Sequence, residues 1–249
     1  FAHSFQSYPE YGMKAIMPFI KEAAEECGST LENFGPFLFG HPFKIRDCMM
    51  EAHVKSVPII KSILKNNQPV GVTLSIMDYQ AAEDGEEMRD KAYAESVDCC
   101  LDQIVNDDFV GVQMYTRHTY GPDGIIKPKA DDPNMLVMGY EYYPESLENV
   151  VRYVSSKIKT PIMITENGIG TDDDNQRIEY LTTALQGLQN CLDDGIDVRG
   201  YFCWSLLDNF EWLFGYKPRF GLVEVNRETL DRTAKESFKF FKSVIDQST

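Results

Sequence analysis

The chain has 249 residues, 43% of them hydrophobic and 25% charged, with 39 acidic against 24 basic side chains and a formal net charge of -15. The hydrophobic share suffices for a packed globular core, the acidic balance argues against nucleic acid as a partner, and no apolar run is long enough to span a bilayer. Six scattered cysteines (Cys27, Cys48, Cys99, Cys100, Cys191 and Cys203) lack the spacing of a metal knuckle. They read as free thiols of a reduced compartment rather than as a disulfide framework. No metal or cofactor is expected.

In chain order, Phe1 to Gly12 shows neither helical nor strand period, and His3 within it reads as part of a loop. Met13 to Cys27 carries Ile16, Phe19, Ile20, Ala23, Ala24 and Cys27 at helical spacing and is closed by Gly28. After a loop rich in Gly, Pro and Phe, Ile45 to Asn67 reads as helix, with Pro58 expected to kink or restart it. His53 on that helix reads as a packed structural residue. Val70 to Gln80 is expected to be a buried parallel strand, Glu86 to Asn106 a helix and Phe109 to Arg117 the next strand. Gly121-Pro122-Asp123-Gly124 is a strong turn. The long loop that follows, through Gly139, is of the kind that tends to carry function. Glu145 to Lys159 is a helix with Leu147, Val150, Val151, Val154 and Ile158 on one face.

Pro161 to Gly168 is the central stretch. An apolar, partly β-branched run leads straight into Glu166, and Asn167-Gly168 then breaks the strand. Thr171-Asp172-Asp173-Asp174 places acids where they cap the next helix, a better reading than metal binding. Ile178, Leu181, Leu185, Leu188 and Leu192 line that helix, and Gly195 ends it. Val198 to Leu207 is the fourth strand. Thr233 with Glu236 reads as a capping box for a last helix whose core face is Phe238, Phe241, Val244 and Ile245. Four strands alternating with helices make parallel βαβ units. In an α/β barrel the C-terminal strand ends form the chemical face, and Glu166 sits at such an end. Taken alone, the same stretch also reads as a strand with a capping Glu before an ordinary turn.

Three blocks narrow the choice. Ile164-Thr165-Glu166-Asn167-Gly168 resembles the nucleophile signature of glycoside hydrolase family 1, the β-glucosidase-like retaining glycosidases. Tyr201 to Trp212 (Tyr-Phe-Cys-Trp-Ser-Leu-Leu-Asp-Asn-Phe-Glu-Trp) resembles that family's sugar-binding segment, and Gly215 to Leu222 (Gly-Tyr-Lys-Pro-Arg-Phe-Gly-Leu) resembles the segment that follows it. The blocks stand in the family's order, and the resemblance covers the later part of the family's chain. It implies a (β/α)8 TIM barrel of which this chain supplies about strands five to eight. It implies Glu166 as nucleophile, kept ionised by nearby donors, with Tyr115 as the best candidate donor. The family's Asn two residues before that Tyr is Gln113 here, so the reach of the longer amide is open.

By the same resemblance, Trp204 is a stacking platform, Glu211 accepts bonds from the sugar's 4- and 6-hydroxyls, Trp212 supplies an indole N-H and Phe220 walls the pocket. The implied substrate is a small β-glycoside or oligosaccharide with an unphosphorylated glycone, because a 6-phosphate would repel the Glu211 carboxylate. The Asn-Glu-Pro triplet that supplies the family's general acid is absent from the sequence. The chain is therefore expected to be inactive alone and to need a complementary N-terminal half-barrel or a second copy to cover its strand edges. The alternative is a non-catalytic glycan-binding or half-barrel assembly module.

Overall fold

The computed structural model describes residues 10–31, 33–34, 42–129, 132–212 and 214–247. Of the stretch read as aperiodic, Phe1 to Gly12, the first nine residues, His3 included, lie outside them, and the last three belong to a helix. The chain falls into two units, Phe1–Val70 and Gly71–Thr249.

The first unit holds α1 (Glu10–Glu26) and α2 (Pro42–Ile63). Helix α1 begins three residues before the expected start and passes through Pro18. Helix α2 opens on Pro42, whose fixed φ suits a first helical position. It then runs through Pro58 as one element to Ile63. The expected restart does not occur: a proline removes one backbone bond, and the helix carries on past it. His53 is half-buried on α2. Cys27 and Cys48 are exposed, unlike the buried Cys100 and Cys191, and none of the six cysteines is in a disulfide.

The second unit is built on a four-stranded sheet in the order β1 (Gly71–Ser75), β3 (Phe109–Met114), β6 (Ile162–Asn167) and β7 (Val198–Cys203). Every neighbouring pair is parallel, as the βαβ reading requires. In β3, Val110, Val112 and Met114 alternate on one fully buried face. Between β3 and β6 in sequence, α5 (Ser146–Lys157) turns Leu147, Val150, Val151 and Val154 inward, all without solvent exposure. Each such side chain stabilises the fold by roughly 1.5–3 kcal/mol.

The two strands expected over Val70 to Gln80 and Phe109 to Arg117 are each divided. Beyond Ser75 and Met114 both chains step out of the main sheet and resume as β2 (Asp78–Ala81) and β4 (Arg117–Gly121), again parallel to each other. A hairpin through Gly121-Pro122-Asp123-Gly124 joins β4 to β5 (Gly124–Ile125), which confirms the expected turn. The division is anchored by polar groups that a main-sheet strand would leave unpaired. Asp78 is buried and accepts 2.8 Å bonds from Gln80 and Asn149, and the Tyr79 amide donates to the Tyr93 hydroxyl.

The helix expected over Glu86 to Asn106 is α3 (Glu86–Tyr93), a π turn over Ala94–Asp98 and a last turn, α4 (Cys99–Leu101). Helix α6 (Asp174–Asp193) is capped by Asp173, whose carboxylate accepts from the Asn175 amide at 3.0 Å. Its buried face is Arg177, Tyr180, Leu181, Ala184, Gly187, Leu188 and Cys191. That face is rotated from the expected leucine line, and Leu192 is exposed.

The capping box does not form. Thr233 lies in β9 (Arg232–Ala234), paired antiparallel with β8 (Val223–Val225). Helix α7 (Glu236–Gln247) takes its first-turn partner from α6 instead: Asp174 accepts from the Ser237 amide at 2.8 Å and from its hydroxyl at 2.7 Å. Phe238, Phe241 and Val244 are half-buried, while Ile245 is exposed.

One buried ion pair holds the turn structure after β7. Lys235 Nζ reaches Asp208 Oδ1 at 2.9 Å and the Gly221 carbonyl at 2.7 Å, and the Gly221 amide donates to the same carboxylate. Burial holds the Lys235 pKa below the ordinary lysine value. Lys235→Met leaves Asp208 charged and unpaired, and the expected loss in a denaturation experiment is roughly 3–5 kcal/mol, the scale of breaking a buried pair from one side.

Candidate functional site

Glu166 stands one residue from the C-terminal end of β6, where the sheet register slips on both sides. Against β3, Val112 pairs with Ile164, but Gln113 pairs with Glu166. Against β7, Ile164 pairs with Tyr201 and Asn167 with Cys203. The extra residue re-aims the carboxylate, the usual consequence of a bulge. Without the slip, Gln113 would face Thr165.

Two donors meet the carboxylate, one on each oxygen. Gln113 Nε2 donates to Oε1 at 2.5 Å, and the Tyr115 hydroxyl donates to Oε2. The longer amide therefore reaches the carboxylate. Tyr115 lies at the break between β3 and β4, which is how a residue beyond the strand end comes to face a residue within the neighbouring strand.

The donors do not leave the carboxyl in its ordinary range. Burial pushes the Glu166 pKa up, the Tyr115 bond pulls it down, the Glu211 charge pushes it up and the Gln113 bond pulls it down; the net direction is upward. The expectation that donors would favour the ion holds for each donor but not for the balance, because burial penalises the charge more. Burial and the facing Glu166 also push the Tyr115 hydroxyl far above the usual phenol range, so it remains a donor. Tyr115→Phe removes a group that lowers the Glu166 pKa. Its acid limb, in any reaction that needs the ionised carboxylate, should move to higher pH; a pH–rate profile or a carboxyl titration checks this.

The 204–220 segment opens at the same rim. The Trp204 amide donates to the Asn167 carbonyl at 2.9 Å, directly beside Glu166. Gly168 admits that approach: a Cβ there would lie 2.0 Å from the Trp204 carbonyl oxygen. Residues 205–208 then run along 220–223, with Ser205 donating to Phe220, Leu222 to Ser205 and Asp208 to Val223. The Glu211 carboxylate is held from within this segment, by Asn209 Nδ2 at 2.6 Å and by Trp204 Nε1 at 3.3 Å. Both bonds fall on Oε1, and Oε2 receives none among the described residues.

Phe220 is 2% exposed and sets its ring edge-on to Tyr115, with centroids 6.2 Å apart. It backs the tyrosine that donates to Glu166. Trp212, on the tight turn closed by the Glu211 and Gly215 backbones, is 75% exposed. The structure thus brings together Glu166, Tyr115, Trp204, Glu211 and Phe220, and adds Gln113 and Asn209 as direct partners. Asn209 gave no signal beyond lying two residues from Glu211. Asn167, read as a strand breaker, is fully buried; it takes a bond from the Tyr201 hydroxyl at 2.8 Å and donates to the Met114 carbonyl at 2.9 Å. No group of acids, histidines and cysteines suited to a metal occurs among the described residues.

Comparison with known proteins identifies the family. The family described as Glycosyl hydrolase family 1 matches residues 106–249. A bifunctional beta-D-glucosidase/beta-D-fucosidase of Bifidobacterium breve is 42% identical over 122 residues, covering 43% of this chain and 26% of that protein. A putative beta-glucosidase 15 of Oryza sativa subsp. japonica is 32% identical over 231 residues, covering 88% and 58%. Among solved structures, the beta-glycosidase BGL167 superposes with a TM-score of 0.82 at 40% identity, over 91% of this chain and 54% of that one. The chain thus spans between about a quarter and three-fifths of the relatives it matches. Strands β1, β3, β6 and β7 with their helices correspond to the fifth to eighth strands of a (β/α)8 barrel. The chain belongs to glycosyl hydrolase family 1.

Proposed function

We propose that this chain carries the nucleophile half of a retaining β-glycosidase that hydrolyses terminal, unphosphorylated β-D-glycosides. The observation that carries the reading is the Glu166 carboxylate, set at a strand's C-terminal end with a donor on each oxygen and Glu211 near enough to perturb it. In a double displacement, one carboxylate attacks the anomeric carbon and a second carboxyl roughly 5–5.5 Å away protonates the leaving oxygen. Glu166 takes the first role. In this reading Glu211, tied through Oε1 to Asn209 and Trp204, accepts sugar hydroxyls through Oε2. The proton donor has no counterpart of the Asn-Glu-Pro type in this sequence. It would come from a complementary N-terminal half-barrel.

Mixing the chain with such a half and assaying nitrophenyl-glucoside hydrolysis tests the assignment. Activity should appear only in the mixture; robust turnover by the chain alone would refute the division of labour. The outer edges of β1 and β7 carry no main-sheet partner among the described residues, which also favours assembly. Saturable glycan binding without covalent labelling of Glu166 would point to a non-catalytic assembly module.

A further inference from the structure

The carboxylate of Glu166 is met by Tyr115, and the Tyr115 main chain is met in turn by a residue of α6. Tyr180 projects from α6 and has no solvent exposure. Its hydroxyl donates to the Tyr115 carbonyl at 3.2 Å and accepts from Asn167 Nδ2 at 2.9 Å. Asn167 is the residue after Glu166, and its Nδ2 also donates to the Met114 carbonyl. A closed circuit results. It runs from Glu166 along the chain to Asn167, through two side-chain bonds to the Tyr115 main chain, and back through the Tyr115 hydroxyl to the Glu166 carboxylate.

The circuit closes where the chain passes from β3 to β4. Between β3 and β4, Tyr115 and Thr116 belong to neither strand: Thr116 is held by the Asp78 amide at 3.3 Å and through its hydroxyl on the Glu141 carbonyl at 2.7 Å, while the Tyr115 carbonyl takes the Tyr180 bond. A buried hydroxyl with both a donor and an acceptor engaged is a rigid spacer, because losing either bond leaves a polar group unsatisfied. The ring is oriented from the other side by Tyr142, edge-on at a centroid distance of 5.9 Å.

We propose that Tyr180 is a positioning residue for the nucleophile, holding the Tyr115 main chain where its hydroxyl meets Glu166. The proposal rests on the reading of Glu166 as nucleophile, but the mechanical link can be tested apart from it.

The test is a carbon-13 titration of the Glu166 carboxyl in the full chain, assigned by difference with Glu166→Gln. It is run for the wild type, Tyr180→Phe, Tyr115→Phe and the double variant. Tyr180→Phe removes one oxygen and keeps the ring. If Tyr180 acts through Tyr115, its loss weakens the Tyr115 bond, and the Glu166 midpoint rises in Tyr180→Phe as it does in Tyr115→Phe. The two changes are then non-additive: in the Tyr115→Phe background Tyr180→Phe adds no further rise. The other titratable groups facing Glu166 and Tyr180 are Tyr201 and Cys203 from β7, Glu211 from the segment after it, and Tyr142 and Glu145 from the segment leading into α5. All are unchanged in these variants.

Ser237→Ala serves as control, since it deletes a buried hydroxyl bond to Asp174 at the start of the same helix. It should lower the melting temperature and leave the Glu166 midpoint where it was. A mechanism-based fluoro-glucoside adds the chemical readout, in the assembly with the complementary half. Labelling should slow by roughly tenfold in Tyr180→Phe, a fraction of the roughly hundredfold that a misplacement of about 1 Å can cost. An unmoved midpoint in Tyr180→Phe, or a rise that adds in full to that of Tyr115→Phe, would overturn the proposal. Absence of labelling in the wild type would remove the glycosidase reading and leave the titration result standing.

Discussion

Glu166→Gln should abolish both glycoside hydrolysis and covalent labelling in the assembled barrel. The expected loss is roughly 10⁴-fold or more, the order seen when a hydrolase loses its covalent nucleophile. The fold should persist, because the amide has the carboxylate's shape and its oxygen can still accept from Tyr115 or Gln113, which meet the two oxygens at present. Intact-mass measurement after incubation with a fluoro-glucoside reads the result directly. One added glycosyl unit, mapped to the peptide containing Glu166, is expected in the wild type and none in the variant. Labelling at another carboxylate would dismantle the assignment.

The pH dependence follows from the same carboxyl. Attack needs the ion, and the Glu166 pKa is raised, first by burial and then by Glu211. Activity should therefore climb with rising pH through a midpoint above the ordinary glutamate value, and fall away as pH drops below it.

Glu211→Gln carries the second large effect and moves the acid limb the opposite way from Tyr115→Phe. Removing the Glu211 charge removes an influence that raises the Glu166 pKa, so the acid limb should shift to lower pH. Turnover should nonetheless collapse. Glu211 Oε1 is held by Asn209 and Trp204, leaving Oε2 for the sugar. Charge-assisted bonds to two hydroxyls, at roughly 1.5–3 kcal/mol each, correspond to about 10²–10⁴ in kcat/KM. A series of aryl glucosides with different leaving groups should lose turnover to a similar degree, because the interaction is with the glycone. Glu211→Ala with undiminished hydrolysis would mean that the glycone is bound elsewhere.

Some elements were legible because a single physical cause dominates them. Four apolar residues on one face of α5 can be buried only one way, and all four are. Asp173, one of the acids before α6, caps it, as a helix N-terminus demands. Elsewhere local signals were overruled. Thr233 and Glu236 have the spacing of a capping box, yet pairing with β8 claims Thr233 for a strand, and Asp174 from another helix supplies the α7 bonds. The leucines of α6 suggested one face, but the buried side also takes Arg177 and Tyr180, polar residues that a hydrophobic pattern does not count. Arg177 holds the carbonyls of Thr171 and Arg219, a bond set that exists only once the loops after β6 and β7 have met.

By itself the sequence determined the alternation of strands and helices, the family, and Glu166 as the carboxylate at a strand end, because period, turn residues and contiguous motifs are local properties. Only the tertiary structure decided that Gln113 reaches that carboxylate, that burial outweighs its donors and that Phe220 backs Tyr115. These outcomes depend on a one-residue slip in register and on through-space sums over segments some 50 residues or more apart in the chain. A slip of one residue turns a side chain to the other face of the sheet, and no periodicity in β3 or β6 taken singly records it.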